Sequence, residues 1–328
     1  MRQVFLRIAI LLVGLPVLAQ EYDHIDSKVK NYPDFSSIEQ LSIRIQNDFD
    51  TDANRVRAAF VWLTHNIRYK YELDAVFAVA PEMLYYSEFG KRYQIERHQR
   101  KLIKKAFSKR EGICNEYSLM FDYLCNDFSI PSKVILGLTK TDIMDVSGKR
   151  LVKNHSWNAV KIDGEWELLD ATWGAGYYDN RLNKFVKRFS EHYYLTPPEL
   201  FIKHHFPAKD SWQLLETPVG LHQFFSAPVY FPDYFEGRIK VMPNTVGLVK
   251  LTESNSSTFE FSAVADKQSI YYALADEGKL RKMRIRKKNQ GFVSKIKFRK
   301  RLKKTTYLTI YAENKAVLNF KVKPNLKQ

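Results

Sequence analysis

The sequence predicts an α+β core, with a cysteine on a helix and a histidine and an aspartate on an antiparallel hairpin, followed by a small all-β sandwich. Two patterns predict the core: apolar residues recur with helical spacing after Cys114, and two alternating runs flank Asp163-Gly164. A third predicts the sandwich, because short alternating runs separated by turn residues fill the end of the chain. We therefore expect the core in residues 20–206, a proline-containing connector in 207–235 and a basic β-sandwich in 236–328.

The composition is that of a globular, basic chain. Its 328 residues are 45% hydrophobic, 14% aromatic and 27% charged, with a formal net charge of +16. A chain of this length can bury a large core and has room for two domains. Nothing in the composition indicates wholesale disorder or a repeat architecture.

Residues 1–19 have the pattern of a secretory signal peptide. Arg2 and Arg7 give a basic start, and the apolar run Ile8–Leu18 is too short to span a bilayer comfortably. Cleavage after Ala19 leaves Gln20 as the new N-terminus and lowers the formal charge from +16 to +14. The mature chain is then expected to be secreted or periplasmic and to lack a transmembrane span. An uncleaved anchor is the alternative.

Helices are expected between the signal segment and Cys114. Ser36 with Glu39 three residues later is a capping pattern, and Asp52 is a second helix start. Trp62 lies at the edge of an apolar stripe and is expected in the core. The predicted elements are a helix from Ser36 to Phe49, a helix from Asp52 to Ile67, a strand over 67–71 and a helix over 85–105.

Cys114 begins a strong helical pattern. Apolar residues follow it on one face of an amphipathic helix, namely Tyr117, Met120, Phe121, Leu124, Cys125 and Phe128. A helix N-terminus carries unpaired N–H groups and a partial positive charge, and both favour a thiolate over a thiol. Cys114 is therefore a candidate nucleophile. A small buried core residue is the alternative interpretation.

The two cysteines of the chain are not expected to form an intramolecular disulfide. Cys114 and Cys125 lie on one predicted helix, so their Cα atoms are about 16 Å apart at the helical rise. A disulfide requires a separation below about 7 Å. A free thiol in an exported protein is open to oxidation, which favours a chemical role for Cys114.

The hairpin around Asp163-Gly164 brings a histidine and an aspartate together. A two-residue loop there places His155 opposite Thr172 and Trp157 opposite Asp170, with the return strand running from Glu165 to Trp173. Side chains alternate between faces, so His155 and Asp170 share a face as diagonal neighbours. A satisfied histidine beside a surface aspartate is the alternative. A buried strand is also expected over Lys133–Leu138.

Adjacent histidines occur further along the chain, at His204 and His205. A strand is expected over His192–Leu195, and a short helix is expected to open at Pro198. Two adjacent histidines cannot both face one metal ion from a helix or strand, and no other ligands accompany them at metal spacing. We therefore expect neither a metal site nor a cofactor.

The sandwich region carries most of the excess positive charge. Between Lys279 and Lys304 the sequence has fourteen Lys or Arg and no acidic residue. A basic strand face of this kind can bind an anionic partner, here an anionic polymer of the cell envelope. A solvated outer face is the alternative. The chain has no nucleic-acid-binding motif, and export argues against nucleic acid as the partner.

Cys114, His155 and Asp170 together form a Cys-His-Asp arrangement. Cys114 would attack a carbonyl carbon as thiolate, His155 would take and return the proton, and Asp170 would hold the imidazole in one tautomer. The backbone N–H of Cys114 is a candidate oxyanion donor.

The flanks of these three residues resemble the transglutaminase-like superfamily and, within it, the kyphoscoliosis-peptidase-type group. The carrying segments are residues 112–118, 154–160 and 166–174, and the similarity extends over about residues 36–225. The resemblance implies a papain-like core with Cys114, His155 and Asp170 as the catalytic triad. With the predicted export, the resemblance implies a cysteine peptidase, a hydrolase, or a glutamine–lysine cross-linking enzyme, acting on a protein or peptide. A catalytically idle binding scaffold of the cell envelope is the alternative.

Overall fold

The chain divides into two compact units. A computed structural model describes residues 22–70, 88–148, 154–179, 182–275, 277, 279–298 and 302–324. The first unit is Met1–Leu136 with His155–Thr196, and the second is Gly137–Asn154 with Pro197–Gln328. The predicted signal segment, residues 1–19, lies outside the described residues. The predicted domain boundaries at residues 206 and 235 stay predictions.

Six helices are described in the first unit. They are α1 (residues 22–30), α2 (Ile38–Asp48), α3 (Asp52–Asn66), α4 (Glu88–Lys109), α5 (Cys114–Asp127) and α6 (Ala171–Ala175). The N-caps are Ser37 for α2 and Thr51 for α3, whose hydroxyls accept from the N–H groups of Gln40 and Asn54 respectively. The predicted caps, Ser36 and Asp52, are each one residue off. Within the described ranges, no helix is both long and apolar enough to cross a bilayer.

The strands of the first unit form three small groups. They are β1 (Arg68–Tyr69), β2 (Glu111–Gly112), β3 (Ser132–Thr139), β4 (His155–Ile162), β5 (Glu165–Leu169), β6 (Gly176–Asp179) and β7 (Lys184–Lys187). β1 pairs with β2 in parallel, β6 pairs with β7 antiparallel, and β5, β4 and β3 lie side by side. Strand β3 continues into the second unit. The predicted hairpin is confirmed in register, since Ile162 lies opposite Glu165 and Asn158 opposite Leu169.

Two predicted strand assignments are wrong. The return strand ends at Leu169 rather than Trp173, because the side chain of Asp170 accepts the N–H groups of Thr172 and Trp173 and so starts α6. The predicted strand over His192–Leu195 is instead a 3₁₀ turn over Glu191–Tyr193. Its tyrosines favour a strand by propensity, but burial of the rings in the core decides the local backbone.

The core of the first unit is built on α3 and α5. Every residue from Val56 to Thr64 is buried, and the predicted apolar stripe of α5 packs against them. Trp62 is confirmed as a core residue, since it stacks on Phe107 with ring centroids 5.1 Å apart. The helix that carries Cys114 is therefore held on a rigid base.

The second unit is rich in strands. Its elements are α7 (Pro198–Phe201), β8 (His205–Pro207), α8 (Leu221–Ser226), β9 (Val229–Tyr230), β10 (Ile239–Val241), β11 (Leu248–Lys250), β12 (Ser256–Val264), β13 (Ile270–Leu274), β14 (Arg281–Lys282), β15 (Arg286–Lys288), β16 (Gly291–Lys297), β17 (Thr306–Ala312) and β18 (Lys315–Lys323). Sheets with the orders β10-β12-β16-β15 and β11-β18-β17-β13-β14 share one apolar cluster, in which Phe259 contacts Phe320. The predicted β-sandwich is confirmed. The end of β3, Gly137–Thr139, pairs with β8.

Candidate active site

Cys114 is the first residue of α5 and is buried, with 5% of its surface exposed. The residue before it, Ile113, is the N-cap, and its N–H donates to Glu116 Oε2 at 2.9 Å. Gly112 lets the chain enter the helix closely, because a Cβ at this position would lie 2.8 Å from the Cβ of Glu116. The helix start is therefore fixed at Cys114 by local sequence.

The first turn of α5 is tied to α3. The hydroxyl of Tyr117 donates to the carbonyl oxygen of Ile67 at 2.7 Å, at the C-cap of α3. Tyr117 is fully buried, so this bond is shielded from water and fixes the rotation of the helix.

Two residues of β4 also reach α5. The Oγ of Ser118 lies 3.1 Å from the Oγ of Ser156 and 2.9 Å from the carbonyl oxygen of Cys114. The Nδ2 of Asn158 donates to the carbonyl oxygen of Ser118 at 3.0 Å. We call Ser118, Ser156 and Asn158 the polar clamp. It joins the helix that begins with Cys114 to the strand that begins with His155.

His155 is buried at the start of β4 and bonded to Asp170. Its Nε2 lies 2.7 Å from Asp170 Oδ2, so the N–H at this position donates to the carboxylate. Its ring is flanked by Trp157 and Trp173, at centroid distances of 6.2 and 5.4 Å. Cys114 lies close enough to the ring to raise its pKa, and the ring nitrogen that is not bonded to Asp170 is Nδ1.

Asp170 is held in place by hydrogen bonds with backbone groups. It is fully buried at the N-cap of α6, where its Oδ1 accepts from Thr172 N at 2.8 Å and Trp173 N at 3.1 Å. Its own N–H donates to the carbonyl oxygen of Tyr193 at 2.9 Å. The carboxylate therefore has one oxygen for the helix start and one for His155.

The electrostatics of the site favour a protonated imidazole. Burial alone lowers the pKa of His155, but the charge of Asp170, the charge of Cys114 and the hydrogen bonds to both outweigh it and raise the pKa to about 10. The other thiol is in a different environment, since full burial in the core raises the pKa of Cys125 well above its ordinary value. The two cysteines, which are both free, thus differ in their chemical surroundings.

The three residues singled out from the sequence lie together in the first unit. His155 and Asp170 were expected as diagonal neighbours within the hairpin; they are in contact, but Asp170 makes that contact from a helix cap. Sequence reasoning assigned no role to the polar clamp or to Trp173. The signal available for the clamp was the presence of polar residues on the core-facing positions of β4, where Val160 and Ile162 follow.

The adjacent histidines lie in the second unit and contact each other. The Nδ1 atoms of His204 and His205 are 2.5 Å apart, and both side chains are fully buried. Two nitrogen ligands of one tetrahedral zinc ion, at about 2.1 Å from it, lie about 3.4 Å apart. This spacing therefore indicates a hydrogen bond between the rings rather than an ion between them.

A family model described as the transglutaminase-like superfamily matches residues 39–171, a range that contains Cys114, His155 and Asp170. Kyphoscoliosis peptidase of Mus musculus is 26% identical over 245 residues, which are 71% of this chain and 33% of that protein. Kyphoscoliosis peptidase of Homo sapiens is 29% identical over 233 residues, which are 69% of this chain and 32% of that protein.

Other similarities cover smaller parts of the chain. Hillarin of Drosophila melanogaster is 26% identical over 166 residues, covering 47% of this chain and 20% of that protein. A solved structure described as "Crystal structure of a TGase" has 17% identity and a TM-score of 0.28, covering 47% of this chain and 34% of its own. The chain spans about a third of the length of the two kyphoscoliosis peptidases.

Proposed function

We propose that this chain is a cysteine-dependent acyl-transfer enzyme acting on protein or peptide amides, since residues 39–171 match the model of the transglutaminase-like superfamily. The observation that carries the proposal is the position of His155, which hydrogen-bonds Asp170 and lies close enough to Cys114 for the charge of the thiol to raise the pKa of the imidazole. A nucleophile, a base and a group that orients the base are the three parts that this chemistry needs.

In the first half of the reaction the thiolate of Cys114 attacks the carbonyl carbon of the amide. A carbon–sulfur bond forms and the carbonyl oxygen takes the negative charge. The backbone N–H of Cys114 is a donor for this oxyanion, since N–H groups in the first helical turn have no partner within the helix. The carbon–nitrogen bond then breaks, the leaving amine takes the proton of the His155 imidazolium, and a thioester remains.

In the second half an acceptor attacks the thioester carbon while His155 takes its proton. With water as the acceptor the product is a carboxylate, and with a lysine amine it is a cross-link; either way the thiolate of Cys114 leaves. His155 ends protonated, as at the start. Asp170, fixed by the N–H groups of Thr172 and Trp173, keeps the imidazole in one orientation through both halves.

The test is the reactivity of Cys114 toward iodoacetamide, a reagent small enough for a buried thiol. Wild type and His155→Ala are labelled between pH 5.5 and 9, and alkylation of Cys114 and Cys125 is followed separately by peptide mass spectrometry. We expect Cys114 to react much faster than Cys125 at pH 6–7, and His155→Ala to abolish the difference. Equal reactivity of both cysteines in the wild type would exclude the enzyme proposal and favour a binding scaffold.

Hydrolysis and cross-linking are separated by a second assay. A glutamine-containing peptide is incubated with the enzyme, with and without a fluorescent primary amine. Free ammonia with no incorporated amine indicates a hydrolase, and incorporated amine indicates a cross-linking enzyme. The inactive control is Cys114→Ala, which removes the sulfur and leaves the second cysteine in place.

We also propose that the chain is exported and docks on an anionic polysaccharide of the cell envelope. Export is supported by the sequence of residues 1–19, and N-terminal sequencing of the secreted protein should then begin at Gln20. Docking is supported by a basic face on the β16 and β15 strands, formed by Arg286, Lys288, Lys295 and Lys297.

The basic face follows from the strand register. Lys295 and Lys297 are exposed and alternate with buried residues along β16. Arg286 lies opposite Val293, which places Arg286 and Lys288 on the same outward side. Glu260 on β12 neutralises part of this charge, since its carboxylate lies 3.7 Å from Lys288 Nζ. Lys295 and Lys297 can attract and bind an anionic chain, and this attraction weakens as the salt concentration rises.

A further inference from the structure

The polar clamp stands out within the core of the first unit. Ser118, Ser156 and Asn158 are each at most 2% exposed. Two positions of α5 that follow on the same side, Phe121 and Cys125, are apolar and fully buried. A buried hydroxyl or amide is costly unless it is hydrogen-bonded, and all three clamp residues are.

Stability alone does not explain these three residues. Replacing a hydrogen-bonded buried pair by apolar groups of the same shape is often nearly neutral, because the bonds made in the protein replace bonds to water. The bond from Ser118 Oγ to the carbonyl oxygen of Cys114 spans four residues within one helix, and such bonds slightly disfavour a helix. The clamp does fix the position of α5 relative to β4, since each hydrogen bond is confined to a narrow range of distance and angle.

The clamp lies beside the two residues whose relative position the chemistry depends on, Cys114 and His155. Ser118 lies one helical turn after Cys114, and Ser156 is the residue next to His155. A shift of α5 by one residue along its axis is 1.5 Å and would break the contacts of Ser118 with both Ser156 and Asn158. The same contacts therefore set the register between the helix that carries the thiol and the strand that carries the imidazole.

We propose that Ser118, Ser156 and Asn158 are positioning residues that hold the Cys114 sulfur in line with the His155 imidazole. This inference rests on the proposed function and names the groups that give the site its geometry. None of the three touches the reacting atoms; they act through the backbone of α5 and β4.

The experiment measures the rate of Cys114 alkylation by iodoacetamide against pH, beside the thermal midpoint. The variants are Ser118→Ala, Ser156→Ala and Ser118→Thr, whose hydroxyl can make the same bond to the carbonyl four residues earlier. The matched control is Leu124→Ala, a cavity variant in the same helix and fully buried, but far from the thiol. It lowers stability without touching the clamp.

In the wild type we expect Cys114 to be alkylated faster than Cys125 throughout the range from pH 6 to 8. Ser118→Ala and Ser156→Ala should lower the Cys114 rate at pH 6 by about 10- to 100-fold, the effect of a misplacement of about 1 Å, and should therefore change the pH profile. Ser118→Thr should restore the wild-type profile. Leu124→Ala should lower the thermal midpoint at least as much as the serine variants do. Its alkylation rate should nevertheless keep the wild-type dependence on pH.

The inference is overturned if Ser118→Ala and Ser156→Ala keep the wild-type pH profile, whatever their thermal midpoints. It is also overturned if Leu124→Ala changes the profile equally, because the clamp would then act only through stability. A wild-type Cys114 that reacts like an ordinary thiol is a different result and contradicts the proposed function itself. If one serine variant fails to fold, the comparison between the other serine variant and Leu124→Ala decides the question.

Discussion

Asp170 and His155 are joined by a 2.7 Å hydrogen bond between Oδ2 and Nε2, and Asp170 makes it from the N-cap of a helix rather than from a strand. Its second oxygen is occupied by the N–H groups of Thr172 and Trp173. The carboxylate cannot rotate without breaking the start of α6. The orientation of the imidazole is thus coupled to the local fold of the segment that follows β5.

This arrangement predicts the behaviour of Asp170→Asn. Asparagine is as good an N-cap as aspartate, so the helix start itself should lose less than about 1 kcal/mol if Oδ1 keeps its place, and any further loss of stability is that of the ion pair with His155. The amide nitrogen then faces His155 Nε2 and donates to it, which forces the imidazole proton onto the nitrogen facing Cys114. We expect about a 10²- to 10⁴-fold lower rate of amide cleavage, measured by ammonia release.

The control for that variant is Asp170→Ala, which loses the cap as well as the orienting group. It should be as inactive as Asp170→Asn and less stable by about a further 1 kcal/mol in urea unfolding. An Asp170→Asn protein with wild-type activity would show that Asp170 serves the helix and not the histidine.

The raised pKa of His155 predicts how stability depends on pH. Since the charge of Asp170 and that of Cys114 raise this pKa from 6.5 to about 10, protonated His155 adds stability that is fully present below pH 6.5 and is lost as the pH rises through about 10. We therefore expect the difference in free energy of unfolding between wild type and His155→Gln to shrink from pH 6 to pH 10. Urea unfolding at fixed ionic strength measures it.

A buried lysine in the second unit acts with the opposite sign in the same pH range. Lys140 Nζ donates to the carbonyl oxygens of Phe224 and Ala227, and burial lowers its pKa to about 7. Its contribution to stability rises as the pH rises from 7 toward 10.5, its ordinary value. The difference in free energy of unfolding between wild type and Lys140→Met should therefore grow with pH.

For His155, a difference between wild type and His155→Gln that does not change with pH would contradict the coupling at the candidate site.

How much of this site was predictable is visible in the hairpin. Asp163 and Gly164 both adopt positive φ, 50° and 86°, as a two-residue loop of this type requires, so the register of β4 and β5 followed from two residues. The helix at Cys114 followed from its apolar spacing. Both features are local, and local patterns are written in the sequence.

Three features were not predictable, and two of them depend on contacts between distant segments. Ser118 meets Ser156 only when α5 packs on β4, and nothing in either segment alone specifies the other. Asp170 ends its strand by capping, where the alternating pattern of Glu165–Trp173 had favoured a longer strand. Tyr193 lies in a 3₁₀ turn, where the tyrosine rings are buried in the core and its carbonyl oxygen accepts from the N–H of Asp170; propensity encodes neither contact.

Arg57 is predicted to be the residue that fixes α3 against its surroundings. Its buried guanidinium donates to Asp26 through two bonds of 2.8 Å and to Glu191 Oε2 at 2.8 Å, and it lies 4.6 Å from the ring centres of Tyr22 and Tyr194. Arg57→Met removes one partner of a buried ion pair and leaves the Asp26 carboxylate with the half-exposed Lys30, at 4.0 Å, as its ion-pair partner. We expect a loss of about 3 kcal/mol in the free energy of unfolding, measured by urea titration.

Two further variants separate the causes. Glu191→Gln should cost much less, because the Glu191 side chain is 56% exposed and water replaces the lost ion pair. Arg57→Lys should stay well below wild-type stability, since an ammonium cannot make the forked contacts with both carboxylates. A lysine variant as stable as the wild type would show that charge alone, and not the geometry of the guanidinium, matters at this position.

The basic face predicts a salt-dependent interaction that is independent of the candidate active site. Lys295→Glu with Lys297→Glu should weaken binding to immobilised polygalacturonate, a linear polyanion, by about tenfold at 50 mM salt. Binding of the wild type should fall steeply between 50 and 300 mM salt, because exposed charges are screened over a Debye length of about 10 Å at 0.1 M. Surface-based binding measurements across this salt series give both quantities.

The matched control is Lys101→Glu with Lys105→Glu, two exposed lysines on α4 of the first unit. It changes the net charge by the same amount, so any loss due to net charge alone appears in both double variants. A loss confined to Lys295 and Lys297 locates the contact on β16. Equal losses would mean that the polymer responds to the total charge of the chain. Binding that does not change with salt would exclude an electrostatic contact, because 300 mM salt screens the attraction between exposed lysines and a polyanion.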